Sequence, residues 1–491
     1  MKNLKKLIAV MAAFLMVFSL TATAVNAYDI TITPNTEDKG EHTYGAYQIF
    51  KGNLNAETGV LGNIEWGSGI SEAGKTALGN AADYAKTLTD ANAAEKAAEL
   101  AQYLTTPEKT GSDKITGLEG GYYLVQDEES SPAGEGKPAA KTKFILKVVK
   151  NTEVNVKSSV PSVEKKVKDK VDTDGAVTEL QDSADYDIGD TVPYTVTATI
   201  GDGIDNFTAY SFQFVDEMSK GLTLDESSWD IKVGEKSVKS LFTLSSTAGE
   251  NGATVWTWAA DDIKPEITDG SKVVLTYNCT LNKDAVVGSA GNPNTVKLKF
   301  DNNPNNCGNG TPEGETPKDT NIVFTYKTIF NKVDQDKNPL TGADFKLEKK
   351  VNGAWVDVTT LGSGENKPTK TGDTTGSTFE FKGLDDGEYR LTETTTPNGY
   401  NTIAPIEFKI TADHEILSDN PTLKELMGTD GKEFTMTPDL TEGSLTGQVV
   451  NQKGTQLPET GGMGTTVIYT LGGLLVVGAA LMLVTKKRMS E

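Results

Sequence analysis

A mainly β chain of tandem sandwich domains, the first with a helical insertion, is the fold class that this 491-residue sequence predicts. Three observations carry that expectation. Long stretches alternate apolar and polar residues, as in Thr191-Val192-Pro193-Tyr194-Thr195-Val196-Thr197-Ala198-Thr199-Ile200, and a period of two puts one face of a strand inward. Short runs bounded by Gly, Asp and Asn recur through the middle and later parts of the chain, the signature of antiparallel sandwiches. From Ser71 to Leu104 alanine dominates instead, and Leu78, Ala82, Ala85 and Leu88 recur at helical spacing.

The N-terminus reads as an export signal over residues 1–27. Lys2, Lys5 and Lys6 form a basic region, Leu7 to Leu20 an apolar one, and Val25-Asn26-Ala27 a small-residue cleavage site. The mature chain then begins at Tyr28, and about 430 residues remain before the C-terminal signals, room for three domains. The first spans 28–156, opening with Tyr44-Gly45-Ala46-Tyr47-Gln48-Ile49-Phe50 and closing with Gly121-Tyr122-Tyr123-Leu124-Val125 and Phe144 to Val149. The second covers 157–310 and the third 319–452, with a Pro/Gly-rich linker between them.

Charge and composition exclude several function classes. The formal net charge is −22, and removing the leader lysines and the basic tail makes it about −27. Such a surface argues against nucleic-acid partners and favours solubility. With only His42 and His414 present, a histidine-based triad or multi-histidine metal site is not expected. No G-x-S-x-G and no Gly-rich phosphate loop occurs. Asp172-Thr173-Asp174-Gly175 lacks the downstream glutamate of a calcium loop and reads as a surface turn. No cofactor, metal or enzymatic turnover is expected. Cys279 and Cys307 form a disulfide if their Cα atoms approach within about 7 Å, and are otherwise two free thiols.

The C-terminus is the most specific region. Leu457-Pro458-Glu459-Thr460-Gly461 precedes an apolar run at 466–484 and a basic tail at 485–491. As a helix that run reaches roughly 28 Å, enough to span a membrane, with the cationic end cytoplasmic. The arrangement resembles the cell-wall sorting signal of Gram-positive surface proteins. The resemblance implies that a sortase cleaves after Thr460, passes its acyl group to an amine, and leaves the protein covalently bound to the cell wall.

In the third domain Phe330-Asn331-Lys332-Val333-Asp334 is followed by Gly387-Glu388-Tyr389-Arg390-Leu391-Thr392-Glu393, then by Val449-Val450-Asn451. This set resembles the collagen-adhesin B-type, immunoglobulin-like domain of major pilins. The resemblance implies an isopeptide bond between Lys332 and Asn451, promoted by Glu393. A neutral lysine is needed for attack, and burial lowers a lysine pKa; Glu393, held protonated, is expected to donate to the Asn451 carboxamide oxygen. In the middle domain Val163-Glu164-Lys165-Lys166-Val167, Val215-Asp216-Glu217 and Gly291-Asn292-Pro293-Asn294 resemble the first, acid-bearing and last strands of pilin middle domains. They imply Lys165 as the amine, with Lys166 as its rival, Asp216 as the acid and Asn294 as the electrophile. The first domain lacks such a set: Lys51 follows a strand, but Gln126 and Asp127 stand where a glutamate is sought.

Glu153-Val154-Asn155-Val156-Lys157 resembles the pilin motif whose lysine accepts the threonine of the next subunit. Asn155-Val156 stands where Tyr-Pro is usual, and Lys150 is the rival position. Taken together, the chain resembles the sortase-assembled major pilins over nearly its whole length. Expected partners are pilus-specific and housekeeping sortases, identical subunits, peptidoglycan, minor tip and base pilins and a host surface. The alternative is a monomeric wall-anchored adhesin with the same domains.

Overall fold

The computed structural model describes residues 27–454, apart from 37, 56, 131–138, 305–306, 309 and 433. The export signal through residue 26, the 457–461 motif, the 466–484 span and the 485–491 tail lie outside the described residues.

In the first unit the long strand His42–Asn55 pairs with Val60–Trp66 and Gly121–Ser130, and Lys143–Val148 extends the sheet. Tyr28–Thr33 lies between Lys114–Leu118, antiparallel, and Thr152–Asn155, parallel. The alanine-rich stretch forms helices Glu72–Leu78, Ala81–Thr87 and Ala93–Ala101. Ser71 caps the first by accepting from Gly74 N, and Asn80 caps the second by accepting from Ala82 N and Asp83 N, which satisfies backbone donors that a helix start leaves open. Ala81, Ala85, Ala97 and Leu100 pack on the sheet with Phe50 and Tyr84.

The middle unit is a sandwich. One sheet holds Ser162–Val167 at its edge, then Thr191–Thr199 and Lys272–Leu281. The facing sheet runs through Asp319–Phe324, Asn292–Phe300, Phe212–Met218 and Thr254–Ala260. Alternation does what the sequence pattern requires: Val192, Tyr194, Val196 and Ala198 are buried and meet Phe212, Phe214, Trp258 and Leu298 from the other sheet.

Two expectations need correction here. Asp319–Phe324, assigned to the third domain, hydrogen-bonds along Asn292–Val296 as the last strand of the middle sheet. Val323 enters the middle core while Phe324 enters the third, so the boundary falls at Phe324-Thr325. The Pro/Gly-rich linker is also tied back: Gly314–Glu315 pairs with Lys299 and Phe300, and Thr316 N donates to Leu298 O at 3.1 Å.

The third unit has two five-stranded sheets. One centres on Tyr326–Val333, flanked by Thr378–Leu384 and Ser444–Val450. The other holds Asp344–Val351, Gly387–Thr395, Ile406–His414 and Leu423–Thr429. Phe330 fills the space between them, 6.1 Å from Phe381 and 5.9 Å from Phe408 by ring centroids, and burying such a side chain contributes about 1.5–3 kcal/mol. The strands at the two ends of the unit are parallel neighbours, with Lys332 in register with Val449.

Residues 182–190 of the middle unit run against the third. Asp182 N donates to Ile416 O, Tyr186 N to Phe324 O and Ile188 N to Gly383 O, at 2.9–3.0 Å. Gly383 adopts φ 88°, and a Cβ there would stand 2.6 Å from Ile188 Cδ1. Only glycine lets the two units close at this point.

Candidate functional site

The third unit brings its three predicted residues together. Lys332 is buried on the strand Tyr326–Val333, and Asn451 is buried one residue beyond Ser444–Val450. The parallel pairing places both at the same end of the sheet. Lys332 Nζ donates to Asn451 Oδ1 and, at 2.9 Å, to Val449 O. Glu393 reaches in from the opposite sheet: Asn451 Nδ2 donates to its Oε1 at 3.0 Å, and Lys332 Nζ lies 3.9 Å from that same oxygen. Burial pushes the Lys332 amine down to about 8, well toward the neutral form that attacks carbonyls.

One detail corrects the expectation. Glu393 does not donate to the Asn451 carbonyl, because that oxygen faces the lysine. Both carboxylate oxygens accept instead, Oε1 from Asn451 Nδ2 and Oε2 from Ile403 N at 3.1 Å and Thr396 Oγ1 at 3.2 Å.

In the middle unit Lys165 and Asp216 face each other across the two sheets, both fully buried, with Nζ 2.6 Å from Oδ2. Lys166 points the other way and pairs with Asp182 at 2.6 Å, so the buried amine is Lys165. Tyr277 is a participant that the sequence reading missed. Its hydroxyl lies 2.8 Å from Lys165 Nζ and 2.7 Å from Asp216 Oδ2, and accepts from Asn294 Nδ2 at 3.0 Å. One hydroxyl thereby joins amine, acid and carboxamide. Among the described residues Asp216 Oδ1 and Asn294 Oδ1 are buried without a hydrogen-bond partner. Burial in this core pushes the Lys165 amine down, against the opposing pull of Asp216.

Asn294 does not lie on the last strand, as expected, but on the penultimate one. The last strand contributes Asn321, paired with Asn294 in register and donating to the Lys165 carbonyl at 3.0 Å.

Lys157 lies between Thr152–Asn155 and Ser162–Val167 with its side chain 65 % exposed, 3.7 Å from Asp269. Lys150 is also exposed. In the first unit Lys51 is exposed beside Glu65 at 3.6 Å. Asp127 is buried against His42, whose other ring nitrogen meets Asp38 at 3.0 Å. Cys279 and Cys307 are free. Cys279 points from its strand into the middle core, 3.6 Å from Met218 Sδ, whereas Cys307 sits by Thr208 at the edge. The possible disulfide is therefore not formed.

Comparison with known proteins matches three parts of the chain. Residues 188–304 match the Gram-positive pilin backbone subunit 2, Cna-B-like domain. Residues 327–421 match the SpaA prealbumin-like fold domain, and 449–491 match the LPXTG cell wall anchor motif. In these parts the chain resembles the Gram-positive backbone pilins. The chain is 26% identical over 407 residues to the trypsin-resistant surface T6 protein of Streptococcus pyogenes serotype M6, covering 68% of this chain and 70% of that one. The solved structure of the T6 backbone pilin superposes with a TM-score of 0.51 at 17% identity, over 89% of this chain and 100% of that one. The full-length major pilin SpaD of Corynebacterium diphtheriae gives 0.47 at 18% identity, over 89% and 99%. The match at 449–491 is to a cell wall anchor motif, which supports attachment at the cell wall surface.

Proposed function

We propose that this pilin forms the shaft of a covalent pilus, each subunit joined through Thr460 to Lys157 of the next, with internal Lys332–Asn451 and Lys165–Asn294 bonds bracing the shaft. The observation that carries the reading is the contact of Lys332 Nζ with the Asn451 carboxamide beside Glu393.

The chemistry follows from that geometry. The neutral Lys332 amine attacks Asn451 Cγ; the Nζ–Cγ bond forms and the Cγ–Nδ2 bond breaks. Glu393 Oε1 lies within reach of both nitrogens, so it takes the proton the amine loses and returns it to the departing nitrogen, which leaves as ammonia. No oxidant or cofactor enters. A fixed contact between amine and amide supplies a very high effective concentration, worth several kcal/mol of the barrier. In the middle unit Asp216 takes the acid's part, and the Tyr277 hydroxyl holds Lys165 and Asn294 on a common point. The reaction occurs once per site.

Load explains the placement. In a polymer joined from Thr460 to Lys157, tension enters near the start of the middle unit and leaves beyond the third. Lys165 and Lys332 lie near the start of their units, Asn294 and Asn451 near the end. Each bond lets force bypass the noncovalent fold; the first unit, off this path, needs none. Immunoblots of cell-wall extracts test the polymer: a high-mass ladder is expected in wild type and a single low-mass band in Thr460→Ala, and a wild-type extract without a ladder would favour the monomeric adhesin.

A further inference from the structure

The two bonding sites differ in how the acid reaches the departing nitrogen. In the third unit one carboxylate oxygen lies near both nitrogens: Glu393 Oε1 is 3.0 Å from Asn451 Nδ2 and 3.9 Å from Lys332 Nζ. Asp216, the acid of the middle unit, is one methylene shorter. Its Oδ2 accepts from Lys165 Nζ at 2.6 Å and from the Tyr277 hydroxyl at 2.7 Å. Among the described residues neither of its oxygens hydrogen-bonds Asn294.

Tyr277 stands in that gap. Its oxygen accepts from Lys165 Nζ at 2.8 Å and from Asn294 Nδ2 at 3.0 Å, while its own proton goes to Asp216. One hydroxyl therefore touches the attacking nitrogen, the departing nitrogen and the acid. Its ring stacks on Tyr194, the cross-strand partner, and on Trp258 from the facing sheet, with centroids 5.3 Å apart in each case. That stack fixes the hydroxyl in place before any reaction starts.

The surroundings suit a proton carrier rather than a base. Lys165, Asp216, Tyr277 and Asn294 are all buried, so protons pass among these groups and not through bulk water. Burial, then the Asp216 charge, holds the Tyr277 hydroxyl well above the ordinary phenol range. It stays protonated and gives up a proton only while receiving another. Tyr194 also approaches Asn294, but among the described residues its hydroxyl bonds neither Lys165 nor Asp216.

We propose that Tyr277 is a catalytic residue of the middle unit, its hydroxyl carrying the proton from Asp216 to the departing nitrogen of Asn294. This rests on the reading that Lys165 and Asn294 become bonded. The neutral Lys165 amine attacks Asn294 Cγ, the carbonyl electron pair moves onto Oδ1, and an Nζ proton passes to Asp216 Oδ2. Asp216 then gives that proton to the Tyr277 oxygen as the hydroxyl gives its own to Asn294 Nδ2. The Oδ1 electron pair returns, the Cγ–Nδ2 bond breaks and ammonia leaves. Asp216 and Tyr277 end as they began. The third unit needs no such carrier, because Glu393 reaches the departing nitrogen itself.

The test is a time course of bond formation in the mature chain, made in a short pulse of cell-free synthesis and digested at intervals. Mass spectrometry then follows the Lys165–Asn294 and Lys332–Asn451 cross-linked peptides in the same molecules. Tyr277→Phe is expected to slow the first by at least about a hundredfold and to leave the second at the wild-type rate, with circular dichroism confirming the fold. A folded variant that forms the first bond at the wild-type rate, or that slows both bonds alike, overturns the relay and leaves the bond itself standing. A wild-type chain without the Lys165–Asn294 peptide overturns the bond and the relay together. If Tyr277→Phe does not fold, the wild-type rate in mixtures of light and heavy water decides alone. Two protons moving in one step predict a bowed dependence on deuterium fraction for the first bond, and a straight line overturns the relay.

Discussion

Lys332 and Asn451, separated by 119 positions in the chain, meet side chain to side chain in the interior of the third unit. They meet because the first and last strands of that unit are parallel neighbours. Glu393 arrives from the opposite sheet to complete the contact. A bond at this point closes nearly the whole unit into a ring.

Removing the proton carrier should therefore cost the bond and its stabilisation together. Glu393→Ala is expected to shrink the shortfall of the intact mass below the value calculated for its own sequence by about 17 Da, the ammonia that is no longer lost. Closing a loop of this length contributes up to about 4–5 kcal/mol, so the third unit's melting temperature should fall by on the order of 15 °C. Calorimetry and mass spectrometry on the same sample check both.

The Lys332 amine sets a pH dependence. Burial lowers its pKa to about 8 before the bond forms, so a synthetic chain that has not yet formed the bond should, once folded, cross-link faster as pH rises from 6 through 8, then level off. The sign for stability is the same in the uncross-linked Asn451→Ala variant. Between pH 8 and the ordinary lysine range near 10.5 the unfolded chain binds more protons than the folded one, so stability should rise with pH in that window. Time-resolved mass spectrometry and denaturant titrations at several pH values measure the two effects.

Polymerisation depends on one exposed amine. Lys157→Ala is expected to abolish the high-mass ladder in cell-wall extracts, while Lys150→Ala leaves it intact. A ladder lost only in the second variant would move the junction to Lys150.

Lys349 gives a contrasting prediction. Its ammonium serves carboxylates of both units, and removing one partner of a buried ion network typically costs about 3–5 kcal/mol. Lys349→Met should lower stability by that order, measured by denaturant unfolding, without any change in mass relative to the value calculated for the variant carrying the internal bonds.

The sequence made the third-unit site legible because every participant is a chemically unusual residue for its place. An inward lysine between Phe330 and Val333, a glutamate closing an alternating strand and an asparagine after Val449-Val450 all break the apolar pattern of a core. Tyr277 was not legible for the opposite reason: an inward tyrosine between Leu275 and Cys279 looks like ordinary packing until its hydroxyl is placed. The strand Asp319–Phe324 was assigned to the wrong unit because alternation gives the face of a strand but not its partner, and Asn321 was missed with it. The aspartates where the middle and third units meet lie more than 200 positions apart in sequence, from Asp169 to Asp386, and only the docking of the two sandwiches brings them together.

Intact mass of pilin taken from the bacterial surface and released as single chains tests the central claim most directly. Two internal bonds predict a mass about 34 Da below that calculated from the processed sequence, with Lys332–Asn451 and Lys165–Asn294 recovered as cross-linked peptides. A mass equal to the calculated value, with all four residues found unmodified, would contradict the account.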